Sequence, residues 1–291
     1  MGNQIKMNRI LPILLLILLS CRNTKEIKMP KYEMPDIILH IEKKQKERTF
    51  DTEAFEFAID YYEDSRYSIC PIDAIPFGST GNNGIHFAFL TDFGQNTNLE
   101  KAPIICIAPS YDPPINLVAR NIFEFFSIVT TIENSTLLAD EYQNQEQFEK
   151  RKEEWFDDWM SEPKIAEPRK KQAEDLKLKF KLKGIHNVVE YTSQIRNERD
   201  KVIKTYKIGG SLGVNPFNNE EISKFKHTKD TFKIKEYLEN ENKSSRLQFY
   251  RDCVFNFILS KNFDFEIKQI IIKYLEKDGY IDEADNLRLT N

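Results

Sequence analysis

Apolar residues recur at helical spacing in two segments of the first half of the chain, residues 36–46 and residues 115–132. Their apolar positions are Ile37, Ile38 and Ile41 in the first segment and Ile115, Val118, Ile122, Phe125, Phe126 and Val129 in the second. Asp36 can cap the first helix, and Pro114 suits the first turn of the second. The uninterrupted apolar run of residues 103–108 lies between them and predicts a buried strand.

The second half of the chain is more charged, and its pattern predicts mainly helices. Residues 140–160 form a charged helical pattern that Pro163 and Pro168 are expected to end. The aromatic residues on one side of that helix are Phe148, Trp155, Phe156 and Trp159. From about Ser245 onward three further helical segments follow, and Asp282 is expected to cap the last of them.

Residues 175–184 alternate strictly between apolar and basic side chains, and this predicts a strand. Leu176, Leu178, Phe180 and Leu182 face one way, and Lys177, Lys179, Lys181 and Lys183 face the other. The lysines either protect an exposed sheet edge or form a surface that binds lipid headgroups. Residues 209–213 contain three glycines and predict a loop.

The glycine-rich stretch IPFGSTGNNGIHFAFL, residues 75–90, could be a phosphate-binding loop or the turn of a β-hairpin. Gly78, Gly81 and Gly84 are spaced by three, without the lysine and hydroxyl of a P-loop. A dinucleotide-binding fingerprint opens a helix, whereas β-branched and aromatic residues follow Gly84 here. Asn83-Gly84 suits the positive φ angles of a type I′ turn, so the stretch predicts a hairpin.

The residue types that carry catalysis show no pattern typical of an active site. The histidines are His40, His86, His186 and His227, and their spacing indicates no zinc site. His86 is expected to be a hydrogen-bonded core or rim histidine, because a catalytic base also needs a positioned partner. Ser161 and Ser223 each begin an SxxK sequence without its companion motifs. We therefore expect no enzyme activity, no cofactor and no metal site.

The N-terminal residues are typical of an export signal. Lys6 and Arg9 precede an apolar run, residues 10–19, that is too short to span a bilayer, which needs ~20 residues. The sequence LLSC that ends this run resembles the lipobox of bacterial lipoproteins. This resemblance implies that Cys21 carries a diacylglycerol, that the chain is cut before Cys21, and that the new amino group is acylated. Arg22, where an aspartate would favour the inner membrane, favours the outer membrane of a cell that has one.

Composition narrows the remaining possibilities. The chain is 40% apolar, 12% aromatic and 30% charged, which is typical of a globular protein. Its formal net charge of -4 provides no general attraction to nucleic acid. Cys70, Cys106 and Cys253 follow Cys21 without the spacing of a disulfide framework. Cys70 and Cys106 could pair in an oxidising envelope, although the apolar surroundings of Cys106 are more typical of a buried thiol.

Residues 36–132 resemble the SUKH superfamily, also called the SMI1/KNR4 family. The pattern iPfa-tGgdg-hF-fl is matched by Pro76, Phe77, Gly78, Gly81, Gly84, His86, Phe87 and Phe89. The later helix pattern vA-nl-eFl is matched by Val118, Ala119, Asn121, Ile122, Glu124, Phe125 and Phe126. The resemblance implies an α+β domain, an antiparallel sheet with packed helices, without cofactor or catalytic residues. Many bacterial members look like immunity proteins that bind and neutralise toxins.

The sequence thus predicts a signal peptide at residues 1–20, a tether at 21–35, a SUKH-like α+β domain at 36–132 and a mixed extension at 133–291 that ends in helices. The expected protein is a membrane-anchored lipoprotein of the bacterial cell envelope. Its expected partner is another protein, a toxin that it neutralises as an immunity protein. The alternative is an envelope enzyme or small-ligand-binding lipoprotein, with a pocket between the sheet domain and the helix of Trp155 and Trp159.

Overall fold

Five short strands pair in the order in which they follow one another along the chain. The computed structural model describes residues 32–61, 67–156, 162–203, 212–261 and 263–290. The strands are β1 Ala58–Ile59, β2 Ala74–Ser79, β3 His86–Leu90, β4 Ile104–Ile107 and β5 Ile115–Ala119. Each pair of neighbouring strands is antiparallel, so short connections suffice to join them.

Helices surround this sheet and make up most of the C-terminal part. They are α1 Asp36–Lys46, α2 Ile122–Ile132, α3 Gln145–Trp155, α4 Pro163–Phe180, α5 Val188–Ile203, α6 Thr231–Asn240, α7 Lys243–Cys253, α8 Phe265–Lys277 and α9 Ile281–Leu289. Short 3₁₀ helices lie at Glu53–Phe55, Ser135–Leu138 and Phe217–Asn219, and α7 continues into a π-helical turn at Val254–Ile258. The antiparallel sheet and the mainly helical C-terminal part confirm the predicted α+β class.

The sheet is buried on both faces, which explains why its strands are mostly apolar. On one face Phe87 of β3 contacts Phe57, which precedes β1, and Phe125 of α2. The ring centroids are 6.1 and 4.8 Å away. The opposite face packs against Ile195 of α5. Its buried residues are Ala88, Leu90, Ile105, Ile107, Ile115 and Leu117. Each face therefore has its own helical cover.

A second core lies at the open end of the β2–β3 hairpin and is enclosed by helices α6 to α9. Ile72 precedes β2, Phe93 follows β3, and both belong to this core. The Phe93 ring centroid is 5.5 Å from that of Tyr280, and Asn286 of α9 donates a hydrogen bond to the Ile72 carbonyl at 2.7 Å. Met34–Asn291 groups as one compact unit, and the predicted division at residue 132 stays a prediction.

The prediction of one helix over residues 115–132 was wrong. The segment forms strand β5, a short turn, and helix α2. Asn121 marks the boundary, because its side chain accepts a hydrogen bond from the Glu124 amide at 2.9 Å and caps α2. A segment that is buried on every side satisfies helical and strand spacing alike, so its apolar pattern did not separate the two elements.

The charged helix predicted over residues 140–160 is shorter than expected. It begins after Asn144, whose side chain accepts from the Gln147 amide, and the described part ends at Trp155. Pro163 does not end this helix but begins α4, where its missing N–H costs nothing. Pro168 lies inside α4. Trp159 lies outside the described residues, as does most of the predicted loop at residues 209–213.

The strand predicted over residues 175–184 was also wrong, because most of this segment belongs to helix α4. The buried positions of α4 are Ala166, Arg169, Ala173 and Leu176, at the three- and four-residue spacing of a helix. Leu178 is 79% exposed, which no half-buried strand would allow. Leucine and lysine are strong helix formers, and the alternating segment is too short to reveal the longer helical period.

Helices α1 and α9 occur where the pattern predicted them, but the two predicted caps do not form. The cap positions are Pro35 and Tyr280, and neither makes a side-chain hydrogen bond to its helix. Asp36 and Asp282 lie in the first turn instead, where a carboxylate is stabilised by the helix dipole. The buried face of α1 consists of the three predicted isoleucines.

Candidate functional site

The glycine-rich stretch forms a hairpin turn, as predicted. The Ile85 amide donates to the Asn82 carbonyl at 3.0 Å, and the central residues Asn83 and Gly84 have φ angles of 51° and 69°. Two positive φ angles in succession are typical of a type I′ turn. The Thr80 amide then bonds the Ile85 carbonyl at 3.1 Å and closes the loop between β2 and β3. These glycines shape a bend between strands and open no helix.

His86 is a hydrogen-bonded core histidine, as predicted. The side chain is 1% exposed, and Nδ1 lies 2.8 Å from the Gly84 carbonyl oxygen. A carbonyl oxygen only accepts, so Nδ1 carries the proton in this contact. The imidazole stacks on Tyr67 with ring centroids 5.0 Å apart. His86 therefore supports the hairpin.

The other predicted site residues do not come together. His40 lies on α1, His186 before α5 and His227 before α6. The Ser223 hydroxyl donates to the Glu241 carboxylate at 2.6 Å. Ser161 and the predicted lipidation site Cys21 lie outside the described residues. Within the part of the chain that the structure describes, no group of three or more histidine, cysteine, aspartate or glutamate residues could hold a metal ion.

The cysteines of the described residues are buried thiols. Cys70 and Cys106 are not joined to each other, so the two do not form the disulfide that the sequence left open. Burial raises the pKa of the thiols of Cys106 and Cys253 well above the ordinary range. Both therefore stay protonated at neutral pH and are poor nucleophiles.

A buried charge network joins the two cores of the molecule. Arg251 of α7 is 1% exposed and contacts Asp73 and Asp92, with Nε 3.2 Å from Asp73 Oδ1 and Nη2 3.1 Å from Asp92 Oδ1. Arg199 of α5 binds both oxygens of Asp92, at 2.8 and 3.1 Å. Asp73 precedes β2 and Asp92 follows β3, so the network fixes both ends of the hairpin to helices α5 and α7.

The network stabilises the ionised forms of Asp92 and Arg251. Burial alone would raise the pKa of Asp92, but Arg199 and Arg251 outweigh it and lower that pKa to about 2. Burial likewise acts to lower the pKa of Arg251, and the carboxylates of Asp73 and Asp92 raise it overall. Neither Asp92 nor Arg251 changes charge near neutral pH, which suits a structural joint and not proton transfer.

Two helices in the C-terminal part lie side by side and parallel. At their starts, Lys229 Nζ is 3.7 Å from Asp264 Oδ2. At their ends, the Tyr274 hydroxyl donates to Glu239 Oε1 at 2.6 Å. Because these contacts join the first turns and the last turns of α6 and α8, both N-termini lie at the same end of the pair.

This shared end exposes three phenylalanines, which we call the phenylalanine surface. Phe232 in the first turn of α6 is 73% exposed, Phe265 at the start of α8 is 65% exposed, and Phe263 is 45% exposed. Exposed aromatic residues that are grouped together mark interaction sites, since water contact with such side chains is unfavourable. The group combines residues from two separate helices, so no single segment of sequence indicates it.

The phenylalanine surface carries positive charge, although the whole chain is acidic. The exposed lysines in the segments that form it are Lys224, Lys226, Lys229, Lys233, Lys235 and Lys261. Asp230 and Asp264 cap the two helices through hydrogen bonds to backbone amides. The two N-termini add partial positive charge at this end. A partner with an apolar surface and carboxylates around it would fit.

A groove of about 740 Å³ runs beside α6. It is lined by Phe225, Lys226, His227, Thr228, Lys233, Glu236, Tyr237, Asn240 and Glu241. The rings of Phe225 and Tyr237 meet at 4.6 Å between centroids. His227 Nδ1 is buried and has no hydrogen-bond partner among the described residues. The groove thus offers both aromatic and polar contacts.

A smaller, polar groove of about 430 Å³ lies beside α3, the helix that carries Trp155. Its lining is Asp140, Glu141, Tyr142, Gln147, Lys150, Arg151 and Glu154. Trp155 lies outside this lining, and its ring is 6.0 Å from the Arg151 guanidinium carbon. Burial raises the pKa of the Asp140 carboxyl. The Trp155 ring therefore offers no surface on which a ligand in this groove could stack.

Among the described residues, every helix is too short or too polar to cross a bilayer. No protein-family model and no curated protein sequence matches this chain.

Proposed function

We propose that this protein is a lipid-anchored binding protein of the bacterial cell envelope whose phenylalanine surface recognises another protein. The observation that carries the proposal is the exposure of Phe232, Phe263 and Phe265 at one end of two parallel helices. Aromatic side chains with surrounding charge are typical of the residues that dominate binding energy in protein interfaces. The groove beside α6 extends the available contact area.

The partner that we propose is a toxin, which the protein binds and neutralises. The support is the resemblance of residues 36–132 to the SUKH superfamily, many of whose bacterial members look like immunity proteins. The antiparallel β2–β3 hairpin and the cover of α2 are consistent with the sheet and helices that this resemblance implies. An exported immunity protein has to meet a toxin that acts in or crosses the envelope.

The anchor that we propose is an acylated Cys21, supported by the LLSC sequence that ends an apolar run. Cells fed an alkyne analogue of palmitate are expected to label the wild-type protein and to leave Cys21→Ser unlabelled. Cys106→Ser is the matched control and is expected to keep the label, because Cys106 is a buried core thiol. Equal labelling of wild type and Cys21→Ser would exclude this anchor.

The binding surface is tested by co-culture with sibling cells. Deletion of the gene is expected to make a strain lose to its parent. Complementation with wild type is expected to restore survival, whereas Phe232→Ser with Phe265→Ser is expected to fail at equal protein level. Loss of two interface aromatics weakens binding by about 30-fold or more. The control Val202→Ser with Leu289→Ser also removes two exposed apolar side chains and is expected to protect.

Two outcomes of this co-culture contradict the proposal. A deletion strain that survives as well as its parent removes the immunity function. Protection by the double phenylalanine variant, at wild-type protein level, removes the phenylalanine surface as the binding site.

A second candidate function is the binding of a small ligand in the groove beside α6. The buried Nδ1 of His227, without a hydrogen-bond partner among the described residues, favours it. Burial lowers the pKa of His227, so the ring is neutral at pH 7 and can accept or donate one hydrogen bond. A thermal-shift screen of metabolites distinguishes the two: stabilisation that His227→Phe abolishes supports the ligand, and no shift supports the protein partner.

A further inference from the structure

A second basic region lies where the end of α4 meets α1. The ring of His40 on α1 is 5.5 Å from that of Phe180 at the end of α4. Burial lowers the pKa of His40, and the nearby charges of Lys179, Lys44 and Lys43 lower it further. Lysines from two helices are therefore gathered around one point of the surface.

Helix α4 is also joined to the segment that follows α1 beside this point. Gln172 of α4 accepts from the Asp51 amide and donates to the Asp51 carbonyl, both at 2.9 Å. A groove of about 550 Å³ lies along this junction. Its charged lining comprises the cations Lys44, Arg48 and Lys171 and the carboxylates Asp51 and Asp175. Cations thus outnumber carboxylates in a rigid part of the surface.

Most of these cations are free to meet an external anion. Lys43 has only a distant partner, with its Nζ 3.9 Å from Glu47 Oε1. Lys44, Arg48, Lys171 and Lys179 form no ion pair with any of the residues that the structure describes. We call Lys43, Lys44, Arg48, Lys171 and Lys179 the basic surface of α1 and α4. Its charge contrasts with the formal net charge of -4 of the whole chain.

Two leucines are exposed next to this basic surface. Leu39 adjoins His40 on α1 and is 46% exposed, and Leu178 adjoins Lys179 on α4 and is 79% exposed. Burial of Ile37, Ile38 and Ile41 explains the packing of α1 and leaves Leu39 on its outer side. Exposed aliphatic side chains among lysines are typical of surfaces that rest in the interface of a bilayer.

We propose that the basic surface of α1 and α4 lies on anionic phospholipid headgroups of the membrane that holds the protein. The inference rests on the proposed lipid anchor, because Cys21 and Asp36 are about 15 residues apart and an extended chain of that length spans at most about 50 Å. The surface therefore begins within reach of the bilayer. Lysines attract anionic headgroups, and the leucines contact the acyl boundary.

Vesicle co-sedimentation tests this contact without the anchor. The protein is residues 22–291, which retain every described residue and lack both the apolar leader and Cys21. We expect binding to vesicles of phosphatidylcholine with phosphatidylglycerol and no binding to phosphatidylcholine alone. Raising the salt from about 0.1 M to about 1 M is expected to release the protein, since the screening length falls from ~10 Å to ~3 Å.

Charge reversal then locates the contact. Lys43→Glu, Arg48→Glu and Lys179→Glu together are expected to lower the partition coefficient on anionic vesicles about tenfold or more. The matched control, Lys226→Glu, Lys233→Glu and Lys235→Glu, changes the net charge equally near the phenylalanine surface and is expected to have a much smaller effect. All of these side chains are exposed, and circular dichroism verifies that both variants are folded.

Three outcomes overturn the inference: no binding to anionic vesicles, equal binding to both vesicle types, or a control that weakens binding as much as the first variant. The last outcome would place the membrane contact at the phenylalanine surface. Labelling at Cys21 is measured separately, so failure of the anchor and failure of this surface are distinguishable.

Discussion

Replacement of Arg251 by methionine is expected to lower the free energy of unfolding by about 3–5 kcal/mol. Methionine fills much of the same volume but leaves Asp73 buried without a cation and Asp92 with Arg199 alone. An uncompensated buried carboxylate is costly, because the interior replaces little of its lost hydration. Folded domains are stable by ~5–15 kcal/mol, so this single change removes a large fraction. Urea unfolding followed by circular dichroism measures it.

The matched control for this prediction is Arg288→Met. Arg288 also contacts two carboxylates, those of Glu276 and Asp285, but at the surface, with 42% of its side chain exposed. Water solvates those carboxylates when the arginine is removed, so we expect little change in the urea midpoint. A second variant, Arg251→Met with Asp73→Asn, is expected to recover part of the loss, since it removes the uncompensated charge. Equal midpoints for Arg251→Met and wild type would contradict a stabilising role.

The same network implies a direction for the dependence of stability on pH. The pKa of Asp92 is about 2 in the folded protein, below its ordinary value of 3.8. A carboxyl with a lowered pKa binds its proton more readily in the unfolded chain, so its contribution is present above about pH 4 and is lost toward pH 2. In Arg251→Met the pKa of Asp92 is expected to rise, which moves this loss to higher pH. Urea midpoints across this pH range measure the shift.

Replacement of Phe57 by alanine is expected to destabilise the fold by about 3–5 kcal/mol, the range for aromatic truncation in a core. Phe57 is 1% exposed and contacts the rings of Phe77, Phe87, Phe125 and Phe126, with centroids between 5.5 and 6.3 Å away. Its loss opens a cavity between the sheet and α2. Thermal or urea unfolding measures the effect, and Phe232→Ala, at a 73% exposed site, is the control with little expected loss.

A double-variant cycle tests whether the Phe57 ring is the reason that position 78 has no room for a side chain. A Cβ on Gly78 would lie 2.5 Å from Phe57 Cε2 and 2.9 Å from the Ala58 carbonyl oxygen. Gly78→Ala alone is therefore expected to cost about 1–3 kcal/mol through overpacking. In the Phe57→Ala background the ring is absent. The double variant is therefore expected to lose less unfolding free energy than the sum of the losses of the two single variants. If the two losses of unfolding free energy were fully additive, the close approach of the Ala58 carbonyl, and not the Phe57 ring, would be the reason for glycine at position 78.

Local signals were sufficient where neighbouring residues decide the backbone. Asn83-Gly84 indicated the β2–β3 bend because few other pairs adopt two positive φ angles. Helices α1 and α8 also followed the spacing of their apolar residues, since each has one buried and one exposed face. The helical spacing in residues 115–132 failed for the opposite reason, because β5 is buried on both faces.

The sequence by itself determined the hairpin, the helices after about residue 245 and the place of His86, and a family resemblance implied the α+β class. Only the tertiary structure decided that residues 175–180 are helical, because Leu176 is buried while Leu178 is exposed. It alone brought Arg251 to Asp73, which lies 178 positions away along the chain. It also brought the first turns of α6 and α8, which carry the exposed Phe232 and Phe265, to the same end of the helix pair. Spacing along a chain reports which side of an element is buried, but contacts between distant elements depend on how the elements pack.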